Sequence, residues 1–113
     1  MPGERMRRVN EAVREVLSVR LAGGLKDPRI GFVTVTSVET SPDLRHARVF
    51  VSVLGGEDER SDTLTGLRSA HGILQSAVAE ELRMKRTPTL DFVYDDSIDR
   101  GMRITELLEE DDA

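Results

Sequence analysis

The residues best equipped for chemistry in this chain are cations and small side chains, not nucleophiles. Ser69-Ala70-His71-Gly72 interrupts an amphipathic stretch with small residues and a glycine, and Arg68 stands directly before it. Arg83, Lys85 and Arg86 fall within four residues of one another, Arg7 and Arg8 lie near the start beside Arg5, and Lys26 and Arg29 flank a turn. Small side chains let a sugar-phosphate strand come close to the backbone. A helix that begins at such a break also turns its free N–H groups and the positive end of its dipole toward a phosphate. With arginine and lysine nearby, the chemistry this pattern suits is the binding of a polyanion. Each feature also has a plainer account. Gly72 could serve only to let two helices cross tightly, His71 is as well explained by a solvated bend as by base stacking, and Arg83, Lys85 and Arg86 complement the dipole of the helix they end.

Catalytic chemistry finds less support. The chain contains no cysteine, which excludes disulfides, thiolate nucleophiles and thiolate zinc sites and fits a reducing compartment. Its two histidines, His46 and His71, fall in a turn and at a bend, so no Ser-His-Asp constellation can be built. Asp91, Asp95, Asp96 and Asp99 could hold a magnesium ion, but Asp96 and Ser97 are sufficiently explained as helix caps. No catalytic residue, metal or cofactor is expected.

A net charge of −5 over 113 residues is unusual for a polyanion binder, yet the average conceals a division. Residues 1–50 carry nine Arg and Lys against six Asp and Glu, while residues 51–113 carry seven against fifteen. Screening limits the range of a surface charge to about 10 Å at moderate salt, so local clusters decide binding. A basic face on an acidic protein and a mixed, soluble surface both remain compatible with these counts. The length fits one domain with a single modest core. Nothing reads as a signal peptide or a membrane span, and a soluble cytoplasmic protein, monomeric and with no membrane partner, is expected.

These side chains must be positioned by a small set of elements. Met6, Val9, Val13, Val16, Leu17 and Leu21 make one stripe of a helix over about residues 5–22, which Gly23-Gly24 ends. Residues 32–38 and 46–54 read as two β-strands joined by the turn Ser41-Pro42-Asp43, with Ala47, Val49, Val51 and Val53 on one face of the second. They are close enough in sequence to form an antiparallel hairpin. Gly55-Gly56 and the four charged residues after it read as a surface loop, with Ser61, Asp62 or Thr63 capping the next helix. That helix runs to the break at 69–72 and continues to about Met84. Residues 90–94 make a third strand, reached by a helical crossover of the kind that returns to the same sheet. Ile98, Met102, Ile104, Leu107 and Leu108 predict a short closing helix before a disordered acidic end. Phe32, Phe50, Phe92 and Tyr94 all fall in these strands, and core packing needs most of them. A polyanion bound by its shape and backbone is therefore expected, with binding that weakens steeply as salt rises. The order is α-β-β-α-kink-α-β with a short C-terminal helix, an α+β fold whose helices pack on one face of a three-stranded mixed sheet.

That order resembles the type II KH topology, in which nucleic acid binds at the junction of two helices. The usual Gly-x-x-Gly loop is missing, and Ser69-Ala70-His71-Gly72 stands in its place. This Ala-x-Gly break is similar to the pattern of the ribosome-binding factor A family. Asp27-Pro28-Arg29-Ile30-Gly31-Phe32, the run from Asp43 to Gly55, Thr87-Pro88-Thr89-Leu90-Asp91-Phe92 and the segment from Asp95 to Ile104 agree with the same family, so the resemblance covers about residues 5–108. It implies a KH-like domain over 1–108 with an acidic tail at 109–113. It further implies a non-enzymatic assembly factor that binds the precursor small ribosomal subunit and its ribosomal RNA near the neck and leaves as the particle matures. In that family a GTPase assists release and the factor supports growth in the cold. The RNA-binding residues implied here are Arg7, Arg8, Lys26, Arg29, Arg68, Ser69, Ala70, His71, Gly72, Arg83, Lys85 and Arg86. A sheet edge used to pair with a partner strand, or a small metal-dependent enzyme at the acidic cluster, are the alternatives.

Overall fold

The computed structural model describes residues 3–83, 86–97 and 108. The expected closing helix over 98–107, the acidic tail and Lys85 lie outside the described residues. The elements are α1 (Glu4–Ala22), β1 (Val33–Thr40), β2 (His46–Val53), α2 (Glu57–Ser69), α3 (His71–Leu82) and β3 (Thr89–Tyr94). β1 and β2 pair antiparallel as a hairpin, and the α2–α3 crossover returns the chain so that β3 lies parallel to β2 on its other side. The sheet is therefore mixed, with β2 central, and the fold class is α+β of the type II KH-like kind. Among the described residues no helix is long and apolar enough to cross a membrane.

The alternation of β2 is as the sequence predicts. Ala47, Val49, Val51 and Val53 are buried against the helices, together with Val35 and Val38 of β1 and Leu90 and Phe92 of β3. Val9, Val13 and Leu17 of α1, Leu67 of α2, and Leu74 and Val78 of α3 complete this layer. Apolar side chains at i, i+3, i+4 and i+7 give each helix one inward stripe, and the period of two gives each strand one inward face.

One departure concerns the start of α2. Glu57, Asp58, Glu59 and Arg60, expected in a loop, form its first turn. Three carboxylates there complement the positive end of the helix dipole, and Glu59 Oε2 accepts the Gly56 N–H at 2.9 Å. The charge run that looked like loop is thus a helix start, and Ser61, Asp62 and Thr63, expected to cap the helix, lie inside it.

β1 carries a bulge between Val35 and Ser37. Thr36 drops out of the register, and its hydroxyl donates to Asp95 Oδ2 at 2.6 Å. Asp95 also accepts the Ser97 N–H at 2.9 Å. One member of the acidic cluster is therefore engaged in tying β1 to the end of β3. The outer edge of β3 is closed by side chains. Gln75 donates to Pro88 O at 2.6 Å and accepts the Leu90 N–H at 3.1 Å, and Arg68 donates to Phe92 O at 3.2 Å. Unpaired strand edges invite foreign strands, and here three of the groups on that edge, Pro88 O, the Leu90 N–H and Phe92 O, are already bonded.

Candidate nucleic-acid interface

The helix does break, but at Ala70. That residue takes φ −85° and ψ 8°, outside both helices, and serves at once as the C-cap of α2 and the N-cap of α3. Its N–H bonds back to Gly66 O at 2.9 Å and its carbonyl accepts the Leu74 N–H at 3.1 Å, so the joint is tight. No side chain caps it, which leaves the first-turn N–H groups of α3 turned outward. Ser69 is exposed and His71 half-buried beside it. Gly72 is the second residue of α3, and a Cβ placed on it would meet nothing within 4 Å. The tight-crossing account of Gly72 is thereby overturned, and so is the expectation that it sits at the break itself. What its missing side chain leaves is an open surface next to the joint.

The glycine that does admit a close neighbour is Gly66, which the sequence pattern gives no reason to single out. A Cβ there would lie 2.6 Å from Ile30 Cγ1. Three residues before it, the buried Thr63 hydroxyl accepts the Gly31 N–H at 3.2 Å and donates to Arg29 O at 3.4 Å. Thr63 and Gly66 share one face of α2 and together seat the loop at residues 27–31. Within that loop Arg29 forms an ion pair with Asp27 at 2.6 Å, and its backbone N–H bonds the same carboxylate. The Arg29 side-chain hydrogen bond is the largest cause that holds the Asp27 carboxyl down at about 2. Arg29 is thus exposed but largely neutralised where it stands.

The other expected cations divide into two groups. A groove of about 1280 Å³ runs between α1 and α3 and is lined by Lys26 and Arg83 together with Arg20. A shallower continuation places Arg20 beside Gly72. Arg20 is a residue that sequence reasoning missed; its place in the last turn of α1, just before Gly23-Gly24, is the signal that pointed to it. Glu15, Glu80 and Glu81 line the same groove and match its cations one for one, so its interior is not a positive channel. Arg7 and Arg8 lie near the end of the sheet where Asn10 accepts the Thr40 N–H, the end from which β3 also starts, just after Arg86. Arg8 pairs with Glu4 at 3.2 Å, both of them exposed. Among the described residues Arg7, Lys26, Arg83 and Arg86 enter no ion pair.

Arg83 caps α3 in the left-handed conformation, with φ 50°. Eleven residues of helix at about 1.5 Å each separate it from Gly72 by about 16 Å. The expected sites therefore do not converge on one point. The joint, Lys26 and Arg29 stand toward one end of α3 and Arg83 with Arg86 toward the other, and a ligand touching both must follow the helix. Arg68, counted among the expected contacts, is exposed and donates one hydrogen bond to the β3 backbone at Phe92 O. Of the four aromatics Phe50 and Tyr94 are half-buried, and only the expectation that Phe32 belongs to a strand needs correction, since β1 begins at Val33. Phe92 is buried, but Phe32 is 81% exposed.

A family model described as ribosome-binding factor A matches residues 5–108. The chain belongs to that family. The ribosome-binding factor A of Anaeromyxobacter dehalogenans is 56% identical over 104 residues, covering 91% of this chain and 75% of the relative. The crystal structure of ribosome-binding factor A from Thermus thermophilus superposes with a TM-score of 0.69 at 28% identity, covering 79% of this chain and 94% of that one. A homology model of the Thermus thermophilus factor, fitted into an electron cryo-microscopy map of its complex with the 30S particle, matches with a TM-score of 0.61 at 27% identity. It covers 85% of this chain and 97% of its own. The match spans every helix and strand from α1 to β3 except the first residue of α1. The ribosome-binding factor A fold thus places its two-helix junction over a mixed sheet whose inner face, α1 to β3, is one continuous core.

Proposed function

We propose that the chain is an assembly factor that binds the precursor small ribosomal subunit and its ribosomal RNA and assists late maturation without catalysing a reaction. The observation that carries this reading is membership of the ribosome-binding factor A family across residues 5–108, with a member of the same fold seated on a 30S particle. In this reading residues 1–108 form the domain and 109–113 an acidic tail, the protein works as a monomer in the cytoplasm, and a GTPase assists release. The joint at Ser69, Ala70, His71 and Gly72 meets the sugar-phosphate backbone, whose tract continues along α3 toward Arg83, Lys85 and Arg86. Lys26 and Arg29 bear on the joint end, and Arg7 and Arg8 on the far end. Arg68 acts indirectly, by holding β3 against α2.

Arrangement of charge along a helix, in place of one deep basic pocket, implies binding by shape and phosphate contact. The sheet-edge alternative is disfavoured by the bonded edge of β3 and by the bulge in β1. The test is sedimentation. Purified protein should travel with free small subunits and not with complete ribosomes, with an affinity that falls as a power of salt concentration. A strain lacking it should accumulate unprocessed small-subunit RNA. Protein that stays at the top of the gradient at low ionic strength refutes the reading.

A further inference from the structure

Phe32 is the only aromatic residue of the four in this chain that stands out in solvent. Phe92 is 1% exposed, Phe50 and Tyr94 are half-buried, and Tyr94 lies under the Arg60 guanidinium, 4.5 Å from its carbon. Phe32 is 81% exposed, and Leu54, the residue across the open end of the hairpin, is 75% exposed. The backbone that carries the ring is fixed on both sides. Phe32 O accepts the Leu54 N–H at 3.0 Å, the neighbouring Gly31 N–H is held by buried Thr63, and Ile30 is seated on Gly66. The backbone that carries the ring is thus ordered before binding, which removes that part of the cost of a contact.

Area selects the occupant. Phe32 and Leu54 together expose on the order of 300 Å², well short of the roughly 800 Å² that each partner of a specific protein interface contributes. One aromatic face does match one nucleobase, and stacking needs no other partner. Lys26, exposed and without an ion pair among the described residues, lies six residues before Phe32 in the same connection, whereas the exposed carboxylates of Glu57, Asp58 and Glu59 follow Leu54 closely, so the contact rests on the ring and not on charge. The joint end of α3 borders that connection through the groove shared by Lys26 and Ile73. We propose that Phe32 is a stacking platform for one unpaired RNA base, with Leu54 at its edge. This deepens the function proposed above and rests on it: the RNA is read by shape and backbone along α3 and, at one point, by a base.

The test uses the full chain, with Phe32→Ala and Phe32→Trp. Because Phe32 is exposed, both variants should unfold at the wild-type temperature. Two probes are titrated: immature small subunits and a short unstructured oligoadenylate. Phe32→Ala should weaken both about five- to a hundredfold, as expected for losing one stacked base, with the salt slope unchanged because no charge is removed. Phe32→Trp should retain affinity. The chain has no tryptophan, so that variant reports from a single fluorophore, whose emission should be quenched by oligoadenylate. Wild-type affinity of Phe32→Ala for both probes overturns the proposal. So does a blue shift of Phe32→Trp on the subunit without quenching by either probe, the mark of an apolar protein contact. If wild-type protein ignores subunits, the functional reading fails and the oligoadenylate titration alone decides the stacking.

Discussion

Gly66→Ala sets helix propensity against a specific contact, and the two can be separated. In a helix interior alanine is favoured over glycine by about 1 kcal/mol, so an unobstructed site would be stabilised. At Gly66 the new methyl would stand 2.6 Å from Ile30 Cγ1, 3.3 Å from Ile30 Cδ1 and 3.4 Å from Arg29 Cβ, whereas carbon atoms rest at about 3.5–4.0 Å. Overpacking of this kind costs about 1–3 kcal/mol. Ile30 is half-buried and can yield toward solvent, which places the cost near 2 kcal/mol and the net loss near 1 kcal/mol. For a domain of this size that is a fall of about 4 °C in Tm. In an Ile30→Ala background the obstacle is gone, and the same substitution should stabilise by about 1 kcal/mol. Urea unfolding of the four proteins yields a coupling energy of about 2 kcal/mol. If Gly66→Ala raises stability in the wild-type background, or acts equally in both, the loop at residues 27–31 is not seated on α2 as described.

Three further outcomes follow from the geometry. Gln75→Ala strips partners from Pro88 O and Leu90 N at the outer edge of β3; a loss of about 1–3 kcal/mol should appear in thermal unfolding, with faster hydrogen exchange at the Leu90 amide. Arg83→Gly removes a side chain from the left-handed region at φ 50°, so stability should rise by about 0.5–1 kcal/mol while affinity for small subunits and the salt slope both decrease. Asp27, held at about 2 from its ordinary 3.8 mainly by the Arg29 side-chain hydrogen bond, contributes a stabilisation that is present above pH 3.8 and lost as pH falls toward 2. Arg29 is exposed and the contribution small, so carboxyl NMR titration is the measurement, and Arg29→Ala should raise the midpoint toward the ordinary value without reaching it, because the backbone N–H at position 29 still donates to the carboxylate.

The periodic elements were legible because their signals are local. The stripe of α1, the alternation of β2 and the turn at Ser41-Pro42-Asp43 each state their geometry within a few residues. That the sheet is mixed was legible too, since an antiparallel hairpin followed by a helical crossover leaves few arrangements; that β2 is its centre was not. What was not legible depends on partners distant in sequence. Gly72 and Gly66 look alike in the chain; only the approach of Ile30 from 36 positions upstream distinguishes them. Phe32 reads as a strand aromatic like Phe92, but it stands one residue before β1 begins and escapes the core. Arg68 beside the break looks like a ligand contact until β3 arrives beneath it. Glu57-Asp58-Glu59 misleads in the other direction, because the carboxylates that mark a solvated loop are also those that suit the first turn of a helix.

The parallel pairing of β2 with β3 also has a consequence for synthesis. Those strands are separated by the whole α2–α3 segment, so roughly 40 residues must be looped out before one edge of the central strand can zip shut. A nascent chain that has released only α1, β1 and β2 would present Val49 and Val51 beside an empty lane. Phe92, which is fully enclosed in the finished protein, is then the wedge whose arrival converts a sticky, half-covered layer of apolar side chains into a closed one. Arrest of translation anywhere short of Tyr94 is expected to yield a species that holds to chaperones, and extension past it should release the chain in a single cooperative step.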